Sequence, residues 1–161
     1  MGRTIAGVLL GYVVMALTVF AGLSLAYVAV GTDGAFRPGL YDVSTLWVIL
    51  SLVVGFGAAL LGGLVARRIA RSMSGPLVLA VVVAVLGATM AVLTLVGEGV
   101  EPGLRTGSVG TFEAMSYART PFWIMLMNPL IGAVGVLLGG GALGTAGANA
   151  RTDAATESTV H

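Results

Sequence analysis

Residues 4–30 read TIAGVLLGYVVMALTVFAGLSLAYVAV, and residues 44–66 read STLWVILSLVVGFGAALLGGLVA. Neither stretch holds an Asp, Glu, Lys, Arg or His, and each exceeds the roughly 20 residues that a helix needs to cross the hydrocarbon core of a bilayer. Two more stretches of the same kind follow at 76–97 and 121–143. In lipid each must be a helix, because an open strand would leave its backbone groups unpaired. The expected fold is therefore all-α, an integral membrane four-helix bundle over residues 1–143, followed by a small, polar, flexible tail over 144–161.

Composition agrees. Apolar residues make up 57% of the 161 positions, charged residues 9%, and the mean hydropathy is +1.02, against about 25% charged in a soluble domain. A water-soluble fold could not cover that much apolar surface. No basic stripe offers itself to nucleic acid. Cysteine is absent, which removes disulfides, thiolate nucleophiles and Cys-metal sites.

Helix starts carry their own chemistry. Ser44 opens the second span, Ser74-Gly75-Pro76 the third and Thr120-Pro121 the fourth, placing a capping hydroxyl or a first-turn proline where helices begin. The first run could be weighed as a signal peptide, with Ser24-Leu25-Ala26 as a small-x-small cleavage motif, but it is longer than the usual 7–15-residue apolar region. It is read as a span.

Arginine placement sets the expected orientation. Arg3, Arg67, Arg68, Arg71 and Arg151 lie on one side with only Asp153 and Glu157, whereas Arg37, Arg105 and Arg119 share the other with Asp33, Asp42, Glu98, Glu101 and Glu113. The arginine-rich side, with both termini, is expected in the cytoplasm. All the basic side chains are Arg, and this Lys-free, Ala/Val/Gly-rich usage suggests a GC-rich bacterial genome, hence a bacterial cytoplasmic (inner) membrane.

Compared with itself at an offset of 76 residues, the chain shows an internal repeat. Gly31-Thr32-Asp33-Gly34-Ala35-Phe36 aligns with Gly107-Ser108-Val109-Gly110-Thr111-Phe112. The register continues without a gap through Tyr41 and Tyr117, Ser44 and Thr120, and Trp47 and Trp123. Two tandem hairpins, about 1–70 and 76–143, are expected, related by a pseudo-twofold axis along the membrane normal. One departure stands out: the first run stays apolar to Val30, whereas its counterpart turns polar at Glu98. The first helix should be longer, tilted or projecting.

Candidate sites are few. Phe36, Arg37, Tyr41 and Trp47, with Phe112, Tyr117, Arg119 and Trp123, would gather at the outer face, either as a headgroup-level anchor or as a shallow site for a partner helix or amphipathic ligand. Asn128 beside Pro129 marks a candidate kink or intramembrane site, since proline frees the carbonyl at Met125. Thr18, Ser51, Thr89 and Thr94 are expected to bond their own helices. Small residues recur every four positions: Gly7 and Gly11; Gly55, Ala59 and Gly63; Ala80, Ala84 and Ala88; Gly135 and Gly139. Such ridges let helix backbones approach closely.

No catalytic or metal-binding constellation is expected, because the sole histidine is the terminal His161 and the carboxylates lie in outer loops and the tail. No cofactor is expected, and the expected partners are membrane lipid and a membrane-protein partner or further copies of the chain. Two functions remain open. One is an accessory, assembly or interaction subunit, or a homo-oligomer; the other is a small-solute or lipid permease using the interface between the hairpins. A continuous polar cavity there would favour the permease, and a tightly packed interface the contact-driven bundle.

Overall fold

The computed structural model describes residues 1–96, 108 and 110–157, the segment 142–157 as backbone alone. Glu98, Glu101, Arg105, Gly107, Val109 and His161, on which parts of the sequence reading rest, lie outside the described residues. The chain forms α1 (Gly2–Ala35), α2 (Thr45–Ala70), α3 (Ser74–Val96), the short α4 (Thr111–Tyr117) and α5 (Phe122–Glu157). Four of these, all but α4, are long and apolar enough to cross a membrane. The molecule is thus an all-helical bundle of the expected class.

The helix ends follow local chemistry. At the start of α2 the Ser44 hydroxyl accepts from the Trp47 N–H at 3.0 Å, satisfying one of the orphan donors of the first turn. At its end Arg71 takes the left-handed conformation (φ 55°, ψ 23°), with its N–H on the Arg67 carbonyl. Arg67 and Arg68 occupy the last turn, where cations complement the helix dipole. Only residues 71–73 separate α2 from α3, so the two helices are held as neighbours. The third helix opens at Ser74, two residues before the expected start, with Pro76 in its first turn, where a missing N–H costs nothing. In α5 the first helical residue is Phe122, one past the proline expected there, and the Pro121 carbonyl accepts from Ile124 at 3.0 Å.

α1 is the long helix that the sequence called for, and it is broken near its outer end. Gly31 has φ 67° and ψ −178°, a combination that glycine alone adopts without strain. The break falls immediately after Val30, where the apolar run ends. It turns the last residues of α1 so that Ala35 and Phe36 become buried.

α2 and α5 form the central pair, with α1 packed on α2 and α3 packed on α5. α3 also touches α2 and α1, whereas α1 makes no comparable contact with α5. Two clusters of buried side chains result. An inner one joins Ala59, Ala66, Leu79, Ala80, Val83 and Val136. An outer one joins Tyr27, Ala35, Phe36 and Val43, with Tyr41, Trp47 and Ala118 against it.

The close approaches are made by glycine. A Cβ on Gly63 would collide with the Val136 carbonyl, and one on Gly139 with the Leu60 carbonyl. On Gly11 it would lie 2.7 Å from the Gly62 carbonyl oxygen, and on Gly7 2.8 Å from that of Ala66. A Cβ on Gly135 would lie 2.7 Å from the methyl side chain of Ala59. Two expected ridge members are corrected: Gly55 faces open space and Ala88 is exposed. In α3 the ridge is carried by Ala80, with Ala84 half-buried. The pattern of fours finds small residues, but it does not say which of them meet a neighbour.

Two further differences concern the second half. The helix expected to end near 143 continues as α5 to Glu157; the segment is rich in alanine, the best helix former, and has no proline to stop it. The outer segments paired by the 76-residue offset also fold differently. Residues 36–43 make a tight β-like turn, with Phe36 bridged to Val43, whereas 111–117, the counterpart of 35–41, is the helix α4.

Candidate functional site

The Arg37-Pro38-Gly39-Leu40 sequence makes the outer turn. The Leu40 N–H bonds the Arg37 carbonyl at 3.1 Å and Gly39 has φ 71°, the pattern of a type II turn with proline then glycine at its centre. Pro-Gly is a dipeptide that favours such turns. The turn closes a small hairpin through Arg37 N–H to the Asp42 carbonyl, 2.9 Å. Ser44 then ties this hairpin to α1: its hydroxyl donates to the Gly34 carbonyl and its N–H to that of Ala35.

A second segment joins alongside. Arg119 donates its N–H to the Tyr41 carbonyl (2.9 Å) and accepts from the Val43 N–H (3.1 Å), giving a parallel bridge between Asp42 and Arg119. The approaches to α2 and α5 thus run side by side in one direction, and the two halves of the chain are stitched together at this end. The offset of this bridge is one residue longer than the 76 of the sequence repeat, as is that between the first residues of α2 and α5.

Around this strap the aromatics separate into two groups. Phe36 is 3% exposed and packs edge-on to Tyr41, ring centroids 5.9 Å apart. Tyr41 meets Tyr117 at 5.4 Å and donates its hydroxyl to Glu113 at 2.9 Å. Trp47 meets Tyr27 edge-on at 5.9 Å. Phe112 and Trp123 stand outside this assembly, 81% and 58% exposed. Of the eight expected outer-face residues the structure therefore gathers six and leaves these two on the surface. Tyr27 was missed, although a ring with a polar edge near the outer end of an apolar run is the aromatic-belt signature. Its hydroxyl lies 3.1 Å from that of Thr32.

Two cavities lie at the strap. The smaller, about 280 Å³, is bounded by the charged residues Arg37, Asp42 and Arg119 together with Val43, Thr120 and Pro121. The larger, about 650 Å³, opens between α1 and α3 beneath the strap. Its α1 wall includes Tyr12, Met15, Val19, Phe20 and Leu23, its α3 wall Val83, Leu86, Gly87 and Met90, and its roof Tyr27, Phe36, Trp47 and Ala118. Among the described residues, no charged side chain and no histidine lines it, and the polar side chain there beyond the two tyrosines and the roof indole is Ser24.

Asn128 and Pro129 belong to neither cavity. Asn128 is exposed, while Pro129 is buried with its ring against Gly87, where an added Cβ would come within 2.6 Å of the ring carbon Cγ. Proline here fills a notch in α3 inside a continuous helix. The hydroxyls at depth bond their own helices, Thr18 to Val14, Ser51 to Val48, Thr89 to Val85 and Thr94 to Met90, at 2.7–2.8 Å.

Comparison with protein families, with curated proteins and with solved structures found no match. The chemistry of the site rests on its own geometry.

Proposed function

We propose that this protein is a non-catalytic membrane bundle that works through contacts, as an accessory, assembly or interaction subunit or as a homo-oligomer, in a bacterial cytoplasmic membrane with both termini inside. One observation carries the reading. The central α2–α5 seam is shut by glycines whose Cβ positions are occupied by backbone, Gly63 against Val136 and Gly139 against Leu60. A solute pathway between the hairpins would need a polar lining there, and the larger opening beside the seam is lined mainly by apolar side chains and, among the described residues, by no charged one. Proton and ion relays in membranes run on ionisable side chains, so this cavity suits contact with apolar groups better than transport.

The alternative, a lipid permease, draws on the position of that same opening between α1 and α3, one helix from each hairpin. The two readings separate on purification from native membranes in mild detergent, followed by reconstitution into liposomes. A stoichiometric protein partner or a defined oligomer supports the contact reading. A monomer without a partner that moves lipid or solute between compartments overturns it in favour of the permease.

A further inference from the structure

We infer that the crevice between α1 and α3 is a binding site for one acyl chain of a phospholipid in the leaflet on the strap's side of the membrane, whose phosphate is met by the arginines of the strap. The crevice has two closed ends. Below, α1 and α3 come together at Gly11, whose Cβ position lies 2.9 Å from Leu79 Cδ2; above, Phe36 and Trp47 form the roof. From Tyr12 to Tyr27 the α1 wall is about 22 Å long at the 1.5 Å rise of a helix. A partner helix needs about 30 Å of path to cross the bilayer core and would run into both ends. A chain that terminates inside the membrane does not.

Volume points the same way: about 650 Å³ lies in the ~300–1,000 Å³ range of small-ligand sites. Charge supplies the other half of the match. Phe36 and Ala118 line the apolar crevice, and their immediate neighbours Arg37 and Arg119 line the small cavity at the same strap. The apolar slot therefore ends one residue short of two guanidinium groups, which outnumber the single carboxylate, Asp42, in that cavity, and arginine is the side chain best shaped for phosphate. The mouth is lateral: Phe20 and Met90 are exposed, Met90 by 63%, so a chain enters sideways from the bilayer.

The two tryptophans make this testable, because Trp47 faces the crevice and Trp123 the outside. The chain carrying Trp123→Phe is placed in nanodiscs of phosphatidylglycerol with dibrominated acyl chains, and Trp47 fluorescence is read against unbrominated discs. Trp47 should lose at least half its intensity. Filling the slot with Ala16→Phe, or separately with Val19→Phe, both on its α1 wall, should restore most of it, while neither changes the quenching of Trp123 in a Trp47→Phe background. Arg37→Gln should raise the fraction of brominated lipid needed for half-quenching. Unquenched Trp47, or quenching that persists in both slot-filling variants with helicity intact, overturns the inference, and so does protection of Trp47 by a partner chain or second copy. The outcome is independent of the contact reading: a monomer with a filled slot retires that reading and leaves this one standing.

Discussion

At the scale of single residues, glycines in one helix have opposite values according to what they face. Gly63 and Gly55 are both in α2 and both stand on the same pattern of fours, yet a methyl on Gly63 meets the Val136 carbonyl and a methyl on Gly55 meets nothing within 4 Å. Gly63→Ala should therefore destabilise the bundle by about 1–3 kcal/mol through overpacking against backbone. Gly55→Ala should stabilise it by up to about 1 kcal/mol, because alanine loses less conformational freedom in a helix. Thermal unfolding of both variants in one detergent tests the pair, and equal shifts would mean that the seam does not pass through Gly63. Gly31 differs again, since its demand is conformational: with φ 67°, Gly31→Ala should cost about 1–3 kcal/mol although open space surrounds it.

At the scale of elements, the outer strap depends on how α1 ends and α2 begins. Ser44 is the shared residue, accepting from Trp47 to cap α2 and donating to Gly34 and Ala35 to hold the last turn of α1. Loss of a capping hydroxyl alone costs about 1 kcal/mol, and Ser44→Ala leaves the backbone tie to Ala35 in place. The expected result is a modest fall in melting temperature, with a shift in Trp47 emission as its ring loses its register against Tyr27. Ser44→Thr should retain most of the stability. If Ser44→Ala melts like the parent with unchanged emission, the strap is not organised by this residue. Tyr41 and Tyr117 act at the other join, where one chain half meets the other through rings 5.4 Å apart. Changing both to Ala should loosen the parallel bridge at Asp42 and Arg119 while leaving α2 and α5 helical by circular dichroism.

For the molecule as a whole, orientation is the expectation with the widest consequence. The Arg67, Arg68 and Arg71 cluster at the α2–α3 turn and the strap bearing Arg37 and Arg119 lie at opposite ends of the bundle, since α2 runs its full length between them. A reporter active only outside the cytoplasm should be silent when inserted after Ala70 and active when inserted at Gly39. The reverse pattern would place the strap, and with it the lipid site, in the cytoplasmic leaflet. The pseudo-twofold relation expected from the 76-residue offset would pair the helices evenly, but the packing is uneven: α3 packs along both α2 and α1, whereas α1 reaches α5 through little more than the Met15 side chain against Gly132. This imbalance leaves room beneath the strap for the crevice.

Sequence by itself determined the class, the number of spans and several of their ends, because these depend on local requirements. Every backbone group in lipid must be paired within its own segment, so an uncharged run such as 4–30 declares a helix without reference to its neighbours, and Ser44 declares its start. The back-bonded hydroxyls of Thr18, Ser51, Thr89 and Thr94 were legible for the same reason. Only the tertiary structure decided which face of each helix turns inward. In water a buried face is announced by polarity contrast; in a bilayer both faces are apolar, and the choice is made by packing alone. Hence Gly55 and Gly63 look alike in sequence and differ in space, Phe36 is buried where Phe112 is bare, and Pro129 fills the Gly87 notch instead of opening a site. The crevice could not be read from the chain either, because its walls come from α1 and α3, brought together by what α2 and α5 do between them.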